Sequence, residues 1–172
     1  MANGNEAWNA LRPRSSILNR AFCAGKHDAW HFTGHGIVAG QMLDQVAIRL
    51  EDKQKLTPTY LSGNARSLGK SHPLVFLNGC ETGQGVTALT GFGGWADKFL
   101  KAGAAAFIGS YWSIIDRSAL AFAKAFYNQL LSGVAIGEAV RQARLKIKED
   151  YPGDPTWLAY AVFADPLAVV ET

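Results

Sequence analysis

At 172 residues with 48% hydrophobic side chains, the chain is long enough for one globular domain with a real core. A formal charge of +3, with the basic residues scattered, gives no argument for nucleic acid or a membrane surface as partner. Only Cys23 and Cys80 are present, which excludes a disulfide framework and predicts reduced thiols in the cytoplasm; residues 1–20 are too polar for a signal peptide, and no run approaches the roughly 18 apolar residues of a membrane span.

Residues 1–26 hold Trp8, Leu11, Ile17, Leu18 and Phe22, enough for a short helix at best. Residues 29–32 read as a buried strand that breaks into Thr33-Gly34-His35-Gly36, and Gly34, Gly36 and Gly40 predict a flexible turn in which backbone can approach a ligand closely. Residues 46–50 are strand-like and run into the polar stretch 51–55, a surface hairpin or flap. Thr57-Pro58 predicts a short helix with Thr57 as cap and Pro58 at the first helical position.

The run Leu74-Val75-Phe76-Leu77-Asn78-Gly79-Cys80 is a second buried strand, ending at a cysteine 45 residues after His35. A glycine-rich loop over 82–94 leads to a helix over 95–102 that Gly103 stops. Residues 104–109 read as a third buried strand, 118–131 and 136–148 as amphipathic helices, and 157–163 as a last strand closed by Asp165-Pro166. Strands alternating with helices predict an α/β domain with a mostly parallel sheet covered on both faces.

A lone cysteine is more often an inert buried thiol than a nucleophile. What distinguishes Cys80 is its placement with His35. Each stands just past an apolar strand and beside glycine, at the carboxyl edge where open α/β sheets hold their sites. A thiol with an ordinary pKa of about 8.5 needs a neighbouring base or cation to act as nucleophile, and an imidazole supplies it. His31, four residues before His35, imitates a metal-ligand spacing, but that spacing converges on a helix and here the flanks predict strand and turn, so no metal and no cofactor is expected. Gly91-Phe92-Gly93-Gly94 imitates a dinucleotide-binding loop, yet no strand directly precedes it; a loop that lets its helix pack closely is the better reading. Cys23 and His72 are read as structural.

The segments His31-Phe32-Thr33-Gly34-His35-Gly36, Leu74 to Gly83 with Cys80-Glu81-Thr82-Gly83, Gly103-Ala104 through Tyr111-Trp112 to Asp116, and Asp165-Pro166 resemble the CHAT domains. These are caspase-like cysteine peptidases of clan CD, related to separase and often joined to TPR repeats. The resemblance spans roughly residues 28–168. It departs from the family mildly: asparagine-glycine stands before the cysteine where small residues are common, and Tyr111 where an aliphatic one is frequent.

The resemblance implies a three-layer αβα sandwich, with residues 27–170 as the C-terminal portion of the family domain and 1–26 as an N-terminal segment. Since those residues are too few for the strand–helix–strand unit that precedes the histidine strand, the N-terminal strands are expected to be missing, and a partner chain, a self-dimer or a TPR-containing region to complete the sheet. It further implies a His35–Cys80 dyad, with the backbone N–H groups of Gly36 and Cys80 receiving the oxyanion. Asp116 resembles the acidic residue at the base of the S1 pocket of separase-like members, which would select Lys or Arg at P1. Glu81 is a second candidate for that pocket, and N-cap of the 118–131 helix is the competing role for Asp116. The expected function is cysteine endopeptidase acting on a protein or peptide; the alternative is a catalytically silent interaction module in a larger assembly.

Overall fold

The structure, a computed structural model, describes residues 21–22, 24–38, 46–51, 53–62, 68, 70–80 and 93–170. The helix expected before residue 26 falls largely outside them, as do Cys23, Glu81 and the loop 82–92. The strands are β1 (Ala29–Val38), β2 (Val46–Arg49), β3 (Lys55–Leu56), β4 (Leu74–Cys80), β5 (Ala106–Ser110) and β6 (Tyr160–Phe163). The helices are α1 (Gly93–Lys101), α2 (Asp116–Leu130), α3 (Ile136–Asp150) and the single turn α4 (Thr156–Ala159), and the short helix expected after Thr57 is a 3-10 helix over Pro58–Ser62.

The strands form one sheet in the order β3-β2-β1-β4-β5-β6. Its centre, β1-β4-β5, is parallel, while β2, β3 and β6 join it antiparallel. The side-chain alternation of a strand divides the core in two. Val75 and Leu77 of β4 pack with Trp95 and Phe99 of α1 and with Phe107 on one face. Phe76 packs with Ile108, Phe122 and Phe126 of α2, Ile147 of α3 and Tyr160 on the other. Helices therefore cover both faces, giving the caspase-like αβα sandwich.

Local signals misplace several boundaries. β1 runs through Gly34 and Gly36 where a flexible turn is expected, because Ala29 to His35 pair with β4 and Gly36 to Val38 pair with β2. Those ladders outweigh the entropy that glycine loses in a strand. The segment 46–56 forms the expected hairpin, but it is docked on β1 as part of the sheet. Residues 157–159 belong to a helical turn instead of the last strand: the Asp154 carboxylate accepts the Thr156 N–H at 2.9 Å, which starts the turn, and β6 is left as four residues antiparallel to β5.

The terminal Asp165-Pro166 has a structural task. The N-cap residue of α3, Ala135, offers no side-chain cap bond, and the first N–H groups of the helix, on Ile136 and Gly137, donate instead to the carbonyls of Ala168 and Pro166 at 2.9 and 3.0 Å. A Cβ on Gly137 would stand 2.9 Å from Pro166, so glycine is what allows the tail to seat there. His72, at φ 45°, donates Nδ1–H to the Gly103 carbonyl at 3.1 Å, in keeping with its structural reading.

Candidate active site

The β1–β4 ladder starts at Ala29 opposite Leu74, and its last pair is His35 opposite Cys80. Adjacent strands lie roughly 4.8 Å apart, so the backbones of the histidine and the cysteine are neighbours at the carboxyl edge of the parallel centre. Gly36, the next residue, already faces Ile48 of β2. β1 and β4 are unusually close there: a Cβ on Gly79 would stand 2.9 Å from the Gly34 carbonyl oxygen and 3.8 Å from the Gly36 nitrogen.

Beside this edge a cavity of about 710 Å³ opens between the sheet and α2. Its floor is His31, Thr33, Gly34 and Asn78. Its wall comes from the β5–α2 connection at Ile114 and from α2, where Asp116 and Lys124 bring opposite charges and Ala119 and Ala123 leave room. Eight residues of helix put Asp116 and Lys124 about 12 Å apart along its axis.

His31 is held by two hydroxyls, Nδ1 with Tyr127 Oη at 2.9 Å and Nε2 with Thr33 Oγ1 at 3.0 Å. Its ring packs 4.8 Å from that of Phe76. Burial lowers the His31 pKa and raises that of Tyr127, so imidazole and phenol both stay neutral. Both ring nitrogens are thus engaged, and among the described residues no group of three or more His, Cys, Asp or Glu could hold a metal ion.

Asp116 is the first residue of α2, and the N-cap position belongs to Ile115, whose side chain makes no cap bond. The N-cap role is therefore corrected: Asp116 stands in the first turn, where a carboxylate favours the helix dipole. This end of α2 is fixed by its neighbours. The Ile115 N–H donates to Thr156 Oγ1 at 3.4 Å and the Tyr111 N–H to the Ala159 carbonyl at 2.7 Å, while the buried Ser118 hydroxyl donates to Asp154. Burial pushes the Asp154 carboxyl up, but the hydrogen bonds from Ser118 and Thr156, with the Arg117 guanidinium nearby, hold it below its ordinary value.

Sequence reasoning missed Asn78 and its partners. The Tyr160 hydroxyl, fully buried, donates to Asn78 Oδ1 at 2.7 Å, and the Ser110 hydroxyl donates to the Gly79 carbonyl at 2.9 Å. A polar residue inside the apolar run 74–77 and its extension was the available signal for Asn78. Nothing local pointed to Tyr160, 82 residues away.

A mixed α/β sandwich with a parallel centre and helices on both faces is the fold of the caspase-like cysteine peptidases. Over 96% of its length the chain superposes on the crystal structure of the Arg-specific cysteine proteinase gingipain R with a TM-score of 0.60, at 16% identity and covering 38% of that chain, a likeness of fold. The CHAT domain family profile matches residues 16–163, and the chain belongs to that family. It is 36% identical over 168 residues to a protein of Vitiosangium sp. (strain GDMCC 1.1324) named "Probable protease", covering 92% of this chain and 20% of the relative. The chain thus spans about a fifth of the length of that curated relative. Among the described residues no helix is long and apolar enough to cross a membrane.

Proposed function

We propose that the chain is a cysteine endopeptidase that cleaves a protein after a basic residue, with Cys80 as nucleophile and His35 as its base. The observation that carries this reading is the register pair His35–Cys80 at the end of the β1–β4 ladder, next to a cavity of a size that takes a long side chain. Membership of the CHAT family and the relative named as a probable protease support it.

In this mechanism the Cys80 thiolate adds to the scissile carbonyl carbon, and the carbonyl π electrons move to oxygen, toward the backbone N–H groups of Gly36 and Cys80. Collapse of the tetrahedral adduct breaks the C–N bond, and the leaving amine takes the proton that His35 accepted from the thiol. Water, deprotonated by His35, then attacks the thioester; the new carboxyl leaves and the thiol is regained. The P1 side chain enters the cavity, where Asp116 attracts Lys or Arg. Glu81 is the second carboxylate proposed for that pocket.

The test is covalent labelling by electrophilic peptide probes that differ only at P1. A probe with Arg is expected to label Cys80 rapidly and its Asp counterpart slowly, because the Asp116 carboxylate attracts a guanidinium and repels a second carboxylate. Equal, slow labelling by both would instead mark a silent interaction module.

A further inference from the structure

The β4–β5 ladder pairs Leu74 with Ala106, Val75 with Phe107, Phe76 with Ile108 and Leu77 with Gly109, and ends there. β5 itself ends one residue later at Ser110, which closes its ladder with β6 opposite Tyr160, and the Tyr111 N–H is given to the Ala159 carbonyl. The final residues of β4 before the cysteine, Asn78 and Gly79, are therefore past the ladder on this side. Both are nevertheless held from it by hydroxyls. Ser110 donates to the Gly79 carbonyl, and Tyr160 donates to the Asn78 side chain.

Ser110 and Tyr160 are both fully buried, and neither lines the cavity. The Tyr160 ring is itself fixed, stacked on Phe122 at 3.9 Å between centroids. On the opposite side, the Gly34 carbonyl packs against Gly79 so closely that no Cβ fits. The segment is thus gripped from β1 by backbone and from β5 and β6 by side-chain hydroxyls. The Tyr160 bond also sets the Asn78 amide, turning Oδ1 toward β6 and Nδ2 away from it.

We propose that Tyr160 and Ser110 are positioning residues: their hydroxyls replace the ladder where it stops and fix the strand end that presents Cys80 to His35 and the substrate. The proposal rests on the reading of Cys80 as nucleophile. A register pair alone sets backbone spacing to within a fraction of a residue step, whereas catalysis is sensitive to displacements of about 1 Å, which can cost on the order of 10²-fold in rate. A buried hydroxyl on each of the two residues before the nucleophile supplies that finer restraint. Serine and tyrosine at these places would otherwise be polar groups inside a core that alanine and phenylalanine could fill.

The experiment compares wild type, Tyr160→Phe, Ser110→Ala and Cys80→Ala in two assays. One is turnover of a fluorogenic Arg peptide. The other is the pH dependence of Cys80 alkylation by iodoacetamide, followed at the Cys80-containing peptide by mass spectrometry, which needs no substrate pocket. Tyr160→Phe keeps the ring and removes only the hydroxyl, so it should stay folded, lose kcat by about tenfold with KM little changed, and alkylate more slowly at neutral pH, its midpoint displaced toward that of an ordinary thiol. Ser110→Ala should act in the same direction.

Wild-type kcat and superposed alkylation curves in both variants overturn the proposal. So does a loss of turnover that merely follows a loss of folded protein while the folded fraction alkylates normally. Undiminished cleavage by Cys80→Ala overturns the peptidase reading itself, and the proposal with it. If the wild type cleaves no peptide, the alkylation curves still decide: a displaced Tyr160→Phe curve upholds the positioning role, and coincident curves end it.

Discussion

From Leu74 to Leu77, β4 is bracketed by parallel ladders on both sides and its side chains fill both cores. From Asn78 to Cys80 it keeps the β1 ladder alone among the described pairings, and small or polar residues replace the large apolar ones. One continuous strand thus changes task along its length. Its first half supplies burial, at about 1.5–3 kcal/mol for each large apolar side chain removed from water, and its second half gives up that gain and brings Cys80 opposite His35.

The sharpest way to test this division is to damage each half separately. Cys80→Ala is expected to lower peptide cleavage by about 10⁴-fold or more, as loss of a nucleophile does, while the urea unfolding midpoint stays close to that of the wild type. Kinetics and denaturation on the same preparation read both; parallel losses would mean the cysteine belongs to the packing half. Phe76→Ala should do the reverse. This ring is fully buried, with Tyr160, Phe126 and Phe122 edge-on at 5.6, 5.9 and 6.3 Å, and its removal should cost about 3–5 kcal/mol by equilibrium unfolding.

A smaller effect is expected at the cavity wall. Asp116→Asn keeps the volume and polarity of the side chain at the start of α2 but removes the charge, so cleavage after Arg should fall on the order of 10²-fold relative to cleavage after Gln, with almost no change in melting temperature. A loss that is the same for both substrates would refute the S1 assignment.

The smallest effect concerns His31, on the floor between the two halves. Its pKa is lowered in the folded state by burial, so below the ordinary histidine value of about 6.5 the unfolded chain binds the extra proton more readily. The stability this contributes is complete above that pH and declines as pH falls, until the folded-state value is passed. Urea titrations stepped down from neutral pH should show the decline in wild type and a flatter profile in His31→Asn; identical profiles would contradict it.

The parts of this fold legible in the sequence were those written in local pattern. The apolar run of β4, the helical stripes of α2 and α3, and the glycine at the end of α1 all follow from neighbouring residues, and so did the place of Cys80 at the end of β4; His35, read as standing past its strand, lies inside β1, which runs on to Val38. The extension of β1 through Gly34 and Gly36 was hidden because two ladders from distant segments decide it against local propensity. The same holds for β6: no feature of residues 156–163 shows that Asp154 will start a helical turn there, or that what remains will pair antiparallel with β5. Asp116 was found as a candidate, but its place in the first turn rather than at the cap depends on the bonds that tie Tyr111 and Ile115 to α4. The two hydroxyls behind the end of β4 were out of reach for the same reason, since each bonds a residue remote in sequence.

The wall of the cavity has a consequence for how such a protein can diversify. The room between sheet and α2 exists because Ala119 and Ala123 present only methyl groups to it. Valine or leucine at either place would narrow or divide the space without disturbing a strand, a ladder or the residues at the sheet edge. Substitutions on a single helical face could therefore reshape this space while the His35–Cys80 register pair is inherited unchanged.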